Sequence, residues 1–147
     1  MRVVIQRVSR AEVRCGERRA AIGRGFLVLA GLETGDTEAT CAWVAAKIAG
    51  LRAFEDEAGK LNLGLAEVGG EILAVSQFTL AGSLERGRRP SFDRAMAPEP
   101  ARALFEVFLA QLRSHHDRVA TGFFQEHMAV ELVNDGPVTF VLERTSG

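Results

Sequence analysis

The sequence predicts one α+β domain, residues 1–147, built on antiparallel or mixed β-sheets of barrel-like form with two or three packed helices. Three observations carry this. Segments rich in Val and Ile, with polar residues interleaved, stand at both ends of the chain. Only two stretches between them repeat their apolar residues at helical spacing. No linker, internal repeat or second zone of composition divides the 147 residues, a length that buries one core without disulfides or a structural metal.

Residues 2–14 open the chain as a long, half-exposed strand, because Val3, Val4, Ile5, Val8 and Val13 are interleaved with Gln6, Arg7, Ser9, Arg10 and Glu12. Gly16 supplies a turn. Short strands follow at 19–22 and 26–31 across Gly23-Arg24-Gly25, and Phe-Leu-Val-Leu-Ala is apolar enough to be central, so the chain opens as an antiparallel meander. Asp36 or Thr37 caps a helix over 37–50, with Ala39, Trp43, Ala46 and Ile48 or Ala49 at helical spacing. Residues 51–54 return as a strand, 55–59 make a charged turn, and 60–63 are ambiguous.

After the Gly69-Gly70 turn signal, residues 71–80 begin as an apolar run, Ile72 to Val75, and then present Ser76, Gln77 and Thr79. This is the pattern of a buried central strand with a polar end. Residues 82–97 hold Gly82, Gly87, Pro90 and several arginines without periodicity, and form a loop. Pro98 or Pro100 starts a second helix that ends near His115, with Leu104, Phe105, Phe108, Leu109 and Leu112 on its buried face. A strand at 118–121 and a break at Gly122 lead to two last strands, 128–133 and 138–143. These are expected to be neighbours across a turn at Asn134-Asp135-Gly136-Pro137.

Composition bounds the function classes. A charged fraction of 25% and a hydrophobic fraction of 47% match an ordinary soluble domain, and no apolar run reaches membrane-spanning length. The first residues lack a secretory pattern, so the expected compartment is the cytosol, where Cys15 and Cys41 stay reduced. A net charge of −1 argues against broad binding of polyanions, yet it permits a small basic cluster to hold a nucleic-acid end.

Two stretches point to chemistry. At the exit of the 71–80 strand, backbone N–H groups freed from the ladder could stabilise an oxyanion beside Ser76 and Thr79; equally, these hydroxyls could serve only the strand end. Arg86, Arg88 and Arg89 could hold phosphate oxygens while Phe92 offers an apolar wall, or could form a plain solvated loop. Adjacent His115 and His116 point apart and His127 stands alone, so no metal site is expected. Nor is there a glycine-rich phosphate loop or a Ser-His-Asp order. A hydrolase made from this chain would rely on backbone dipoles and on groups of its substrate. At Gly136-Pro137 the residues leave cis and trans open.

Taken together, Ser76-Gln77-Phe78-Thr79-Leu80 and Asn134-Asp135-Gly136-Pro137-Val138-Thr139 resemble the two signature motifs of the D-aminoacyl-tRNA deacylase family. Ile5-Gln6-Arg7-Val8, Gly59-Lys60-Leu61-Asn62-Leu63, Arg89-Pro90-Ser91-Phe92 and Thr121-Gly122-x-Phe124 resemble family patterns in the same order, so the likeness covers nearly the whole chain. It implies a homodimeric enzyme, without cofactor, that hydrolyses the ester of D-aminoacyl-tRNA and glycyl-tRNA. Membrane and DNA are not expected partners.

The resemblance also implies roles. Gly136 and Pro137, joined by a cis bond, would reach the partner subunit's pocket and crowd out L side chains. N–H groups of Gln77 and Phe78 would face the scissile carbonyl, Ser76 and Gln77 would shape the site, and Phe78 would border the adenine. Arg7, Arg86, Arg88, Arg89, Phe92, Asn134 and Thr139 would serve substrate binding. Thr79 has no base to activate it, which favours attack by water assisted by the ribose 2′-hydroxyl.

Overall fold

The computed structural model describes residues 1–145. In chain order it contains β1 (Arg2–Cys15), β2 (Arg18–Ile22), β3 (Gly25–Gly31), α1 (Glu38–Ala49), β4 (Phe54–Glu55), β5 (Leu61–Leu63), α2 (Leu65–Val68), β6 (Glu71–Ser76), a 3₁₀ turn (Phe78–Ala81), α3 (Pro98–His115), β7 (Val119–Thr121) and β8 (Ala129–Glu143).

The long apolar-rich strand β1 organises the sheet. One of its edges pairs antiparallel with β8 along nearly its whole length, and the other pairs first with β3 and then, beyond Val8, with β2. β6 joins β3 in parallel, and β7 joins β6 in parallel. Parallel neighbours need a crossover, and the helices supply it: α1 lies on the path from β3 to β6, α3 on the path from β6 to β7. That is why Ile72 to Val75 are buried without alternation, for both faces of β6 are covered.

Two cores result. On the helical side Val3, Ile5, Phe26, Val28, Ile72 and Ala74 meet Val44 and Ile48 of α1 and Phe105, Phe108 and Leu112 of α3. On the other side Val8, Val13, Ile22, Leu27, Leu73 and Val75 form a second cluster, because the far half of β1 curls with β2 over β6 and β7. The sheet thereby closes most of a barrel. Each of the larger of these side chains contributes about 1.5–3 kcal/mol relative to exposure, so the two clusters together hold β6 in place.

The helices differ in how well sequence places them. Thr37 caps α1, its Oγ1 accepting from Thr40 N–H at 3.3 Å while Thr37 N–H donates to Thr40 Oγ1 at 3.1 Å. The expected apolar face is turned by about one residue: Thr40, Cys41, Val44, Ala45 and Ile48 are buried, Ala39 and Ala46 are exposed, and Trp43 is half-buried. The many alanines in this helix leave its periodicity weak. Pro98 opens α3 as expected, with Phe105, Phe108, Leu109 and Leu112 buried and Leu104 at the margin. No helix is long and apolar enough to cross a membrane.

Three expectations are corrected. The 71–80 strand stops at Ser76, and residues 78–81 turn into 3₁₀ geometry. The strand read at 51–54 shrinks to Phe54–Glu55, paired with Leu61–Leu63, and an unexpected helical turn at Leu65–Val68 follows, bounded by Gly64, whose N–H donates to Glu67, and by left-handed Gly69. The opening meander is antiparallel as expected, and β6 and β7 add parallel pairing, which makes the sheet mixed, within the expected class. Finally, residues 128–133 and 138–143 are not neighbours across a hairpin; both belong to β8 and pair in succession with β1. A partner as long as β1 can take both halves.

Candidate active site

The ladder that ends β6 leaves two amides over. Ala30 of β3 pairs with Ser76, and Gln77 N–H donates to Ala30 O at 2.8 Å, which is the last bond of that ladder. Leu80 N–H then returns to Gln77 O at 3.2 Å, and Gly82 N–H to Thr79 O at 3.0 Å. Phe78 and Thr79, the first residues of the 3₁₀ turn, have N–H groups with no acceptor among the described residues. The oxyanion donors read from the resemblance were Gln77 and Phe78. Gln77 N–H is already used by the sheet, so the available pair is Phe78 and Thr79.

Side chains around these amides are polar but not arranged as a triad. Gln77 Nε2 donates to Thr79 Oγ1, and no described His, Asp or Glu is hydrogen-bonded to Thr79 or Ser76. Thr79 therefore lacks the base that a nucleophilic hydroxyl needs. Gly31 packs directly beneath: a Cβ there would stand 2.9 Å from both Gln77 O and Leu80 Cβ. The turn is thus seated on backbone, with no room for a side chain below it.

A cleft of about 610 Å³ opens at this point, lined by Ser76, Gln77 and Phe78 on one side and by Met96, Phe124 and Met128 opposite. Glu126 and His127 also reach its lining. Sequence reasoning missed most of this far wall. Gly122 allows it, since a Cβ there would meet Met128 Sδ at 3.1 Å and Val75 Cγ2 at 3.3 Å. Gln125 adopts φ 61°, a left-handed conformation uncommon for a side chain other than Gly, Asn or Asp. The one available signal was Thr121-Gly122-x-Phe124, which names the hinge of the wall but not Met128.

The second signature stretch lies elsewhere. Between the pairs Gln6–Thr139 and Val8–Asn134, β1 offers only Arg7 while β8 has residues 135–138 to place, so they bulge out. Arg7, only 5% exposed, holds this bulge: its Nε donates to Asp135 O at 2.9 Å and its Nη1 to Ala53 O at 2.9 Å, with Glu55 at 3.3 Å from Nη2. Val138 N–H donates to Asn134 Oδ1 at 2.7 Å, and Asn134 Nδ2 to Thr139 Oγ1 at 2.8 Å. The Gly136-Pro137 bond is cis. Neither residue lines the cleft of its own chain.

Arg7, Asn134 and Thr139 thus point their polar atoms at the bulge. Phe92 sits instead with the first stretch, its ring 5.3 Å from that of Phe78. Arg86, Arg88 and Arg89 are exposed on the loop that leaves the 3₁₀ turn. His116 is taken up by the fold, its Nε2 at 2.7 Å from Gly70 O.

Residues 4–143 match the family model described as D-Tyr-tRNA(Tyr) deacylase. Relatives named D-aminoacyl-tRNA deacylase include that of Geobacter sulfurreducens, 57% identical over 99% of this chain and 97% of its own. That of Thermotoga petrophila is 52% identical over 97% of each. Among solved structures, that of a protein named c-Myc DNA Unwinding Element Binding Protein superposes with a TM-score of 0.92 at 41% identity, covering 99% of this chain and 100% of that one. A probable eukaryotic D-amino acid tRNA deacylase shares the fold, with a TM-score of 0.84 at 18% identity over 96% and 97% of the two chains.

Proposed function

The chain belongs to the D-Tyr-tRNA(Tyr) deacylase family, and from that premise we propose that it hydrolyses the ester joining a D-amino acid, or glycine, to the terminal adenosine of tRNA while sparing L esters. The observation that carries the chemistry is a pair of amides with no acceptor among the described residues, that of Phe78, which lines the cleft, and that of Thr79 beside it, while no described His, Asp or Glu is bonded to the Ser76 or Thr79 hydroxyl. Water attacks the ester carbonyl. Negative charge gathers on the carbonyl oxygen, where the two N–H donors stabilise it; loss of one such donor typically costs about 10²–10³ in rate. The bond from carbonyl carbon to the ribose 3′-oxygen then breaks, the water's proton passing to that oxygen through the neighbouring 2′-hydroxyl. Products are the free amino acid and tRNA.

Handedness is assigned to Gly136 and Pro137, whose carbonyl oxygens crowd an L side chain and hold the substrate's α-amino group. Because these residues lie outside the cleft of their own chain, a second copy supplies them. The open edge strand β8 supports such a homodimer: among the described residues it pairs only with β1, and its Val133, Phe140 and Val141 are 42%, 38% and 65% exposed, apolar surface that association would cover. Arg7 acts from below as a positioning residue for the Gly-Pro carbonyls, with Asn134 and Thr139 bracing the same bulge.

The test is deacylation of matched D- and L-aminoacyl-tRNA pairs, with glycyl-tRNA alongside, by protein treated with a chelator. Rapid loss of the D and glycyl esters with L spared is the expected result. Equal loss of both hands would remove the Gly-Pro filter from the account. The 41%-identical neighbour is named for binding a DNA element, which favours one rival, nucleic-acid binding without turnover; retained binding with no cleavage would support it.

A further inference from the structure

Most arginines of this protein are engaged. Arg7, Arg10, Arg19 and Arg94 pair with carboxylates, and Arg24 and Arg102 lie over phenylalanine rings. Among the described residues Arg86, Arg88 and Arg89 have neither a carboxylate nor a hydrogen-bond partner, although the whole chain carries a net charge of −1. Free positive charge is therefore gathered within four consecutive positions, offset there only by Glu85.

The segment that carries it is built, not loose. Ser83 and Ser91 exchange backbone hydrogen bonds of 2.7 and 2.9 Å, so residues 83–91 form an arm with the arginines at its tip. Its root is the candidate site itself. Gly82 N–H bonds Thr79 O at 3.0 Å, a Cβ on Gly82 would stand 3.0 Å from the Phe92 ring, and that ring packs on Phe78. From the Ser83–Ser91 bridge the tip reaches at most about 10–14 Å, at roughly 3.3–3.6 Å per residue. Such an arm spans the phosphates next to the esterified ribose but not a duplex that begins beyond the unpaired 3′ end.

Resting on the deacylase reading, we propose that the 83–91 arm clamps the backbone phosphates of the single-stranded 3′ end of the RNA, and that the duplex stem contributes little to binding. Guanidinium forks suit phosphate oxygens, and each phosphate neutralised on a single strand contributes about 0.7 to the salt slope.

The experiment compares wild type with R86Q/R88Q/R89Q on three esters of one D-amino acid: intact tRNA, the 3′-terminal trinucleotide, and adenosine without phosphate. R113Q, which removes a free arginine from the last turn of α3, is the control. On tRNA and trinucleotide the triple variant is expected to lose roughly 10- to 100-fold in kcat/KM near 0.1 M salt, chiefly through KM, and about 2 from the salt slope. On aminoacyl-adenosine the loss should shrink to about twofold. A loss confined to intact tRNA would place the arginines on the duplex and overturn the proposal. So would an equal loss on all three esters, or none. Anisotropy of a labelled trinucleotide carrying an amide-linked D-amino acid reads the arm without turnover: salt-dependent binding weakened by the triple variant upholds it even if the protein proves inactive, which would sink the deacylase reading alone.

Discussion

In the proposed mechanism the turn after β6 and the bulge in β8 both present backbone groups to the substrate, yet they are held in opposite ways. The first continues the most buried part of the sheet: Ile72 to Val75 are fully enclosed, Gln77 N–H closes the ladder on Ala30, and Gly31 seats the turn. The second stands on an edge strand whose side chains are mostly exposed, and it keeps its shape through Arg7 and Asn134. A group rooted in the core is positioned by the packing of many residues. A group at an edge depends on a few polar side chains, and should be separable from stability by mutation.

That contrast can be broken from either side. Gly31→Ala is the largest perturbation: its Cβ would stand 2.9 Å from Gln77 O, and overpacking of this kind costs about 1–3 kcal/mol. It should lower the melting temperature and remove at least about 100-fold of turnover together, since a shift near 1 Å suffices for that loss. Arg7→Met comes next. It leaves Ala53 O and Asp135 O without their donor, about 1–3 kcal/mol for the buried Ala53 acceptor and less for exposed Asp135, which water can reach. D-to-L discrimination is expected to fall more than kcat for the D ester, and equal loss of both would assign Arg7 to the fold alone.

Gly136→Ala sharpens the comparison on the edge. With φ at +136° and a Cβ 2.7 Å from Val138 Cγ2, alanine must distort the bulge; turnover should drop about 100-fold by misplacement while the thermal midpoint moves little. Thr79→Ala removes only the acceptor of the Gln77 amide, so turnover within about tenfold of wild type is expected, below the usual effect of an oxyanion donor. Abolished turnover with binding intact would restore Thr79 as nucleophile. Smallest is the thiol difference. Burial pushes Cys41 up to about 12, so its neutral form favours the fold below the thiol's ordinary range, and that contribution is lost as pH rises toward 12. Near pH 8 a thiol reagent should label half-buried Cys15 and spare Cys41 until the protein unfolds.

Much of the site was legible because its signals are local. Pro98 at a helix start and the apolar run into Ser76 depend on neighbours in sequence, and both appear where expected within a few residues. Periodicity misled where alanines blurred it, as in α1, and where Asn-Asp-Gly-Pro imitated a hairpin. The far wall of the cleft was invisible for another reason: Met96, Phe124 and Met128 come from two distant segments that share nothing but a neighbour in space.

By itself the sequence determined the α+β class, the strand that leads into the site, the start of both long helices and the two stretches that carry the family likeness. Each of these is set by propensity, capping and short-range pattern. Only the tertiary structure decided which amides remain free, that the second stretch bulges instead of turning back, and that Arg7 is the reason it keeps its shape. Those outcomes depend on register. β1 gives a single residue where β8 brings four, and β3 takes the N–H of Gln77 but not that of Phe78; pairing between strands far apart in the chain sets both, and no local pattern records it.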